Sequence, residues 1–145
     1  MNLYTIGFTK KPASAFFALL RESGARRLVD VRLNPGGQLS GFAKQDDLAF
    51  FLRELCGMDY VHMPQLAPTR PILDGLRKVH RHWPTYEREF LALMRERRVA
   101  ETVDREALAN AVLLCSEHSP ERCHRRLVAE HLQRAWGDIE VVHLE

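Results

Sequence analysis

The sequence predicts an α/β fold, a three-layer domain with a mainly parallel, five-stranded sheet and helices on both faces. Five short runs rich in Val, Ile and Leu lie at 3–6, 27–32, 60–63, 111–115 and 140–144. Segments with apolar residues at helical spacing alternate with them, and strands joined through helices pair in parallel. The chain has 145 residues, 46% apolar and 28% charged, enough for one domain with a real core. That composition excludes disorder, a collagen-like repeat and a disulfide-dense mini-protein.

Taken in order, the first strand, 3–6, ends at Gly7. Phe16, Phe17, Leu19 and Leu20 form the stripe of a helix over 14–23, stopped by Gly24. The second strand, 27–32, carries Leu28, Val29 and Val31, and the turn cluster Asn34-Pro35-Gly36-Gly37 ends it. A helix follows over 47–55, with Asp46 as N-cap, Leu48, Phe51, Leu52 and Leu55 as its stripe, and Gly57 as its stop. The third strand is 60–63. A helical, Pro/Arg-rich segment, about 64–110, then separates strands three and four. Within it 73–82 reads as a short basic helix, 86–98 as a stronger one with Phe90, Leu91 and Met94 on one face, and 104–110 as a helical turn. Strand four, 111–115, is apolar throughout. Ser119 and Pro120 suit the N-cap and first residue of a helix that runs to Trp136 and stops at Gly137. Strand five, 140–144, closes a single domain over 1–145.

Lys and Arg number 21 against 19 Asp and Glu, a formal charge of +2, too little to indicate nucleic acid by itself. No apolar run approaches the roughly 18–20 residues of a membrane span, and the first residues lack the pattern of a signal peptide. Three cysteines suit free thiols in a reducing compartment. The expected location is therefore cytoplasmic, with no membrane association; the oligomeric state is left open.

In a parallel sheet, ligands bind beyond the carboxyl ends of the strands, and here those ends are polar. Strand one ends at Gly7, strand two in Asp30-Val31-Arg32, strand three in Tyr60-Val61-His62 and strand four in Cys115-Ser116-Glu117-His118. Side chains alternate along a strand, so Asp30 and Arg32 share one face, as do Tyr60 and His62. Cys123 falls in the first turn of that helix, where unpaired N–H groups favour a thiolate, and Arg122, Arg125 and a protonated His124 assist. The same N–H groups with Arg125 suit a phosphate or carboxylate.

The candidate catalytic residues are Cys123, Cys115, Glu117 and His62. The candidate substrate-binding residues are Gly7, Asp30, Arg32, Tyr60, His124 and Arg125. Each has a structural alternative: Cys115 and Cys123 as packing residues, Glu117 as a solvated carboxylate, His62 as a hydrogen-bonded strand end, and Asp30 with Arg32 as an ion pair holding a loop. The basic run Arg70, Arg77, Lys78, His80, Arg81 and His82 reads as a solvated face or a phosphate contact. Cys115, His118, Cys123 and His124 are metal-ligand types. Cys-x7-Cys-His lacks the paired-cysteine knuckle of specific zinc motifs, so no metal and no cofactor is expected. No Gly-x-Ser-x-Gly elbow and no Gly-x-Gly-x-x-Gly loop is present.

These motifs in order resemble the bacterial and archaeal family called domain of unknown function 488. The resemblance rests on Tyr4-Thr5-Ile6-Gly7, Leu28-Val29-Asp30-Val31-Arg32 with Pro35, Phe42 and Leu48, Tyr60-Val61-His62-Met63-Pro64 with Leu66, and Leu113-Leu114-Cys115-Ser116-Glu117 leading to Pro120 and Cys123-His124-Arg125. It implies a sheet-and-helix domain with its signature polar residues gathered at one end, and it implies no reaction. Two loops depart from the family pattern, at Leu66-Ala67-Pro68-Thr69 and at Gly36-Gly37-Gln38. The expectation is a small intracellular enzyme whose Cys/His/Arg/Glu site acts on an anionic, phosphate- or nucleotide-bearing substrate. The alternatives are a non-catalytic module that binds an anion or nucleic-acid component, and a structural zinc domain.

Overall fold

A computed structural model describes residues 1–145, and the side chains of all but residues 38–40. Its strands are β1 (Asn2–Gly7), β2 (Arg27–Asp30), β3 (Asp59–His62), β4 (Ala111–Cys115) and β5 (Glu140–His143). They form one all-parallel sheet in the order β3-β2-β4-β1-β5. The helices are α1 (Ala13–Ser23), α2 (Gln45–Cys56), α3 (Arg70–Asp74), α4 (Trp83–Glu96), α5 (Val99–Thr102) and α6 (His124–Trp136). No helix among the described residues is long and apolar enough to cross a membrane.

The alternation of side chains along the strands builds two cores. Leu28, Val112 and Leu114 face Phe16, Phe17 and Leu20 of α1 and Leu48 and Leu52 of α2. Val29, Leu113 and Cys115 face Phe90 and Met94 of α4 and Leu127, Val128 and Leu132 of α6. All five residues of β4 are buried, as a central strand covered on both faces must be. The sheet is thus the middle of three layers.

Several boundaries move from their expected positions. β2 stops at Asp30 because the Arg32 N–H turns onto the Asp30 carboxylate at 3.1 Å. α2 begins at Gln45 after an extended Lys44, which puts Asp46 and Asp47 in the first turn, where negative charge favours the helix dipole. The expected basic helix divides into α3 and a wide, π-type turn, Gly75–Val79. α4 starts three residues early, with Pro84 in its first turn. α6 starts at His124, not at Pro120, because Cys123 is extended at φ −137° and ψ 138°. The Arg126 guanidinium occupies the Pro120 and Glu121 carbonyls and holds that stretch as a separate turn.

Phe90 joins the α4 layer to α6. It is fully buried, its ring lies 6.0 Å from that of Tyr86 and 5.4 Å from that of His124, and no polar group depends on it. Phe90→Ala leaves a cavity against the sheet and is expected to cost about 3–5 kcal/mol, read as a lower urea midpoint at unchanged slope.

Candidate functional site

β1 leads through α1 on one face to β2, whereas β4 leads through α6 on the other face to β5. The carboxyl ends of these neighbouring strands therefore part, and a crevice opens between them, the place where ligands bind in such sheets. A cleft of about 400 Å³ occupies it. Its floor holds Cys115, the last residue of β4, Cys123, the N-cap of α6, and His124, the first residue of that helix.

These three side chains are buried and touch. The Cys115 sulfur lies 3.4 Å from His124 Nδ1 and 3.8 Å from Nε2, so it sits over the face of the ring. His124 Nε2 is 2.6 Å from the Val31 carbonyl oxygen. A carbonyl only accepts, so Nε2 carries the proton and Nδ1 keeps its lone pair in the neutral ring. Both sulfurs and a ring nitrogen lie within 4.8 Å of one another.

The two thiols divide their electrostatics opposite to expectation. Cys115 is held below the ordinary thiol range, chiefly by a hydrogen bond from Cys123, and further by the Ser116 and Glu117 amides and the charge of Arg125. Cys123, expected to gain from the helix N-terminus, is instead pushed well up by burial and by its neighbour Cys115. It donates to Cys115, and the thiolate character passes to the strand residue.

Arg125 is fully buried and does not line the cleft. Its Nη1 donates to the Glu117 carbonyl at 2.6 Å and its Nη2 to that of His118 at 3.3 Å. The expected anion contact is thus a clamp that ties the loop after β4 to the start of α6. Gly7 is likewise a packing residue, since a Cβ there would lie 1.6 Å from the Glu117 oxygen. The Thr9 N–H donates to the Ser116 carbonyl at 3.0 Å and continues the same seam.

On the other side, Asp30 accepts from Arg32 Nε at 2.9 Å, from Arg32 Nη2 at 2.7 Å and from the Tyr60 hydroxyl at 2.6 Å. Burial and that bond to Asp30 push the Tyr60 hydroxyl far above its ordinary range. His62 Nε2 donates to the Arg32 carbonyl at 2.8 Å. Asp30, Tyr60 and His62 stay out of the cleft; they set Arg32, which lines it and lies over the Phe8 ring. Of the expected residues, Cys115, Cys123, His124, Glu117 and Arg32 meet at the cleft.

The remaining wall comes from the segment after β3. Arg97 donates to the Gln65 and Ala67 carbonyls and anchors that segment to the end of α4, which brings Arg70, Arg77, Trp83 and Tyr86 over the cleft. Trp83 and Tyr86 were not singled out as site residues from the sequence; the cluster of prolines before α4 is the signal that the chain folds back there. Of the two loops that depart from the family pattern, one places Pro68 on the cleft wall. The Gln38 side chain in the other lies outside the described residues.

Two substitutions test this framework. Gly7→Ala has no room beside a backbone carbonyl and is expected to cost about 3 kcal/mol, the upper end for overpacking, in urea unfolding. Asp30→Ala strands the buried Arg32 guanidinium and is expected to cost about 3–5 kcal/mol in the same measurement, whereas Tyr60→Phe, which removes one hydrogen bond, costs about 1–2 kcal/mol.

No curated protein and no solved structure matches the chain. A family model does, over residues 12–132, a span that holds β2, β3, β4 and the first nine residues of α6, and with them every cleft residue after Thr9. That span covers most of the sequence, and the chain belongs to the family described as domain of unknown function DUF488.

Proposed function

We propose that the protein is a small enzyme acting on an anionic substrate that carries a flat ring, of the nucleotide class, with the Cys115–Cys123–His124 cluster as its reacting centre. One observation carries this reading: Arg70, Arg77 and Arg122 line the cleft without a carboxylate partner among the described residues, around a floor of two thiols and an imidazole. Glu117 is the only carboxylate among the lining residues. Such an excess of guanidinium attracts anions, and the planar forks suit phosphate or carboxylate oxygens in bidentate fashion. Trp83, which packs on the buried Tyr86, is a partly exposed ring on the cleft wall, and about 400 Å³ lies in the range of small-molecule sites.

The second reading, a binding module without turnover, is favoured by the burial of the thiols, since Cys115 and Cys123 are only 5% and 2% exposed. Both readings require the arginines, and only the enzyme requires Cys115.

Calorimetry with a nucleoside monophosphate, its unphosphorylated nucleoside and inorganic phosphate tests the assignment. The monophosphate is expected to bind best, and the Arg77→Ala/Arg122→Ala double variant to lose about tenfold to a hundredfold in affinity, the size of one or two charge-assisted hydrogen bonds. Equal affinity in the double variant removes the anion site from this cleft. Chromatography of the ligand after incubation separates the two readings: product that forms with wild type and not with Cys115→Ser identifies an enzyme, and unchanged ligand in both identifies the module.

A further inference from the structure

We propose that Cys115, Cys123 and His124 form a three-donor site for a zinc-class divalent cation, with a fourth coordination position open to the cleft. This deepens the enzyme reading, and rests on it only for the open position. Two thiolates and an imidazole are the donors that zinc favours. Three protein ligands with one free position is the pattern of catalytic zinc, whereas structural sites are closed by four.

Three features of the cluster point the same way. The first is distance. Zn–S bonds of about 2.3 Å and a Zn–N bond of about 2.0 Å make a tetrahedral edge of about 3.5 Å. The three donor atoms lie within 4.8 Å of one another, and the Cys115 sulfur, 3.4 Å from His124 Nδ1 and 3.8 Å from Nε2, stands over the ring, so a small shift toward the Nδ1 edge is needed for the two to share a cation. The second is the bond from His124 Nε2 to the Val31 carbonyl at 2.6 Å. Metal-bound histidines commonly donate their other ring N–H in this way, which leaves the opposite nitrogen as the ligand. The third is access, because the donors are buried yet form the floor of the cleft, so a cation has an entry path and its fourth position faces the substrate space.

No other group of three or more His, Cys, Asp or Glu donors comes together among the described residues. Both sulfurs are free thiols. Binding forms two metal–sulfur bonds and one metal–nitrogen bond, and the thiol protons pass to solvent. Glu117, two residues beyond Cys115, lines the same cleft and is not one of the three donors. The sequence spacing conceals the site because its ligands come from two elements, the end of β4 and the start of α6, brought together by the loop that Arg125 clamps.

The test is titration of the reduced, chelator-stripped full chain with Zn²⁺ and Co²⁺. One equivalent per chain is expected, and the cobalt form is expected to show an intense thiolate charge-transfer band with the visible bands of tetrahedral cobalt. Cys115→Ser and Cys123→Ser, checked for fold by circular dichroism, each abolish it. X-ray absorption of the zinc-loaded wild type needs no variant and must count two sulfur ligands. Thiocyanate is expected to shift the visible cobalt bands by entering the fourth position; unchanged bands overturn the open site. Absence of stoichiometric uptake, uptake that survives Cys115→Ser in a folded variant, or a sulfur count other than two overturns the metal site. Phosphate and nucleoside monophosphate titrations of the metal-stripped protein separate this failure from that of the enzyme reading. Arginine-dependent binding without metal uptake sinks only the cation, and metal uptake without arginine-dependent binding sinks only the anionic substrate.

Discussion

A buried guanidinium holds the carboxyl end of the sheet together. Arg125 reaches from the first turn of α6 to the carbonyls of Glu117 and His118, so the end of β4 and the start of α6 are tied across a loop of eight residues, 116–123. Removing such a charge from water is costly, and its Nε has no hydrogen-bond partner among the described residues. Two compensations are present. The carbonyls are polar groups that need donors, and the charge of Arg125 falls on Cys115, whose thiolate form it favours. The clamp that shapes the loop thus also sets the electrostatics of the sulfur it brings forward. Gly7 completes the arrangement by leaving room for the loop to lie against β1.

The opposite wall is built differently, from a hydrogen-bonded ionic network. Asp30 is fully buried and satisfied by the Arg32 guanidinium, the Arg32 amide and the Tyr60 hydroxyl. Arg32 also donates to the Ala43 carbonyl and lies over the Phe8 ring. A buried pair this well bonded contributes more to position than to net stability, because desolvation offsets much of the attraction. It presents one oriented arginine to the cleft, while His62 holds the backbone from which that side chain leaves.

The helical segment between β3 and β4 adds Arg70 and Arg77, which have no carboxylate partner among the described residues, and the rings of Trp83 and Tyr86. Its anchoring is partly polar, through Arg97 on the Gln65 and Ala67 carbonyls, and partly apolar, through Tyr86 and Phe90 against the sheet. The cleft therefore combines a buried floor of two thiols and an imidazole with an exposed basic rim.

Much of this was legible in the order of residues. The alternating apolar runs, the glycine stops at 24, 57 and 137 and the apolar β4 follow from side-chain periodicity and local backbone preference, which act over a few neighbours. The loading of strand ends with polar groups was visible for the same reason, and it marked both Arg32 and the Cys115 to Arg125 region. Roles within that region were not legible. Whether Arg125 faces a ligand or clamps a loop, whether Cys115 or Cys123 carries thiolate character, and whether Asp30 touches the cleft depend on groups far apart in sequence, such as Gly7 beside Glu117 and Val31 beside His124. The start of α6 moved four residues for a related reason, since Arg126 takes carbonyls that an earlier helix would have used. Local patterns decide which segments become strands and helices, whereas burial, hydrogen-bond partners and charge neighbours exist only once the sheet has closed, and these assign each polar side chain to a frame or to a site.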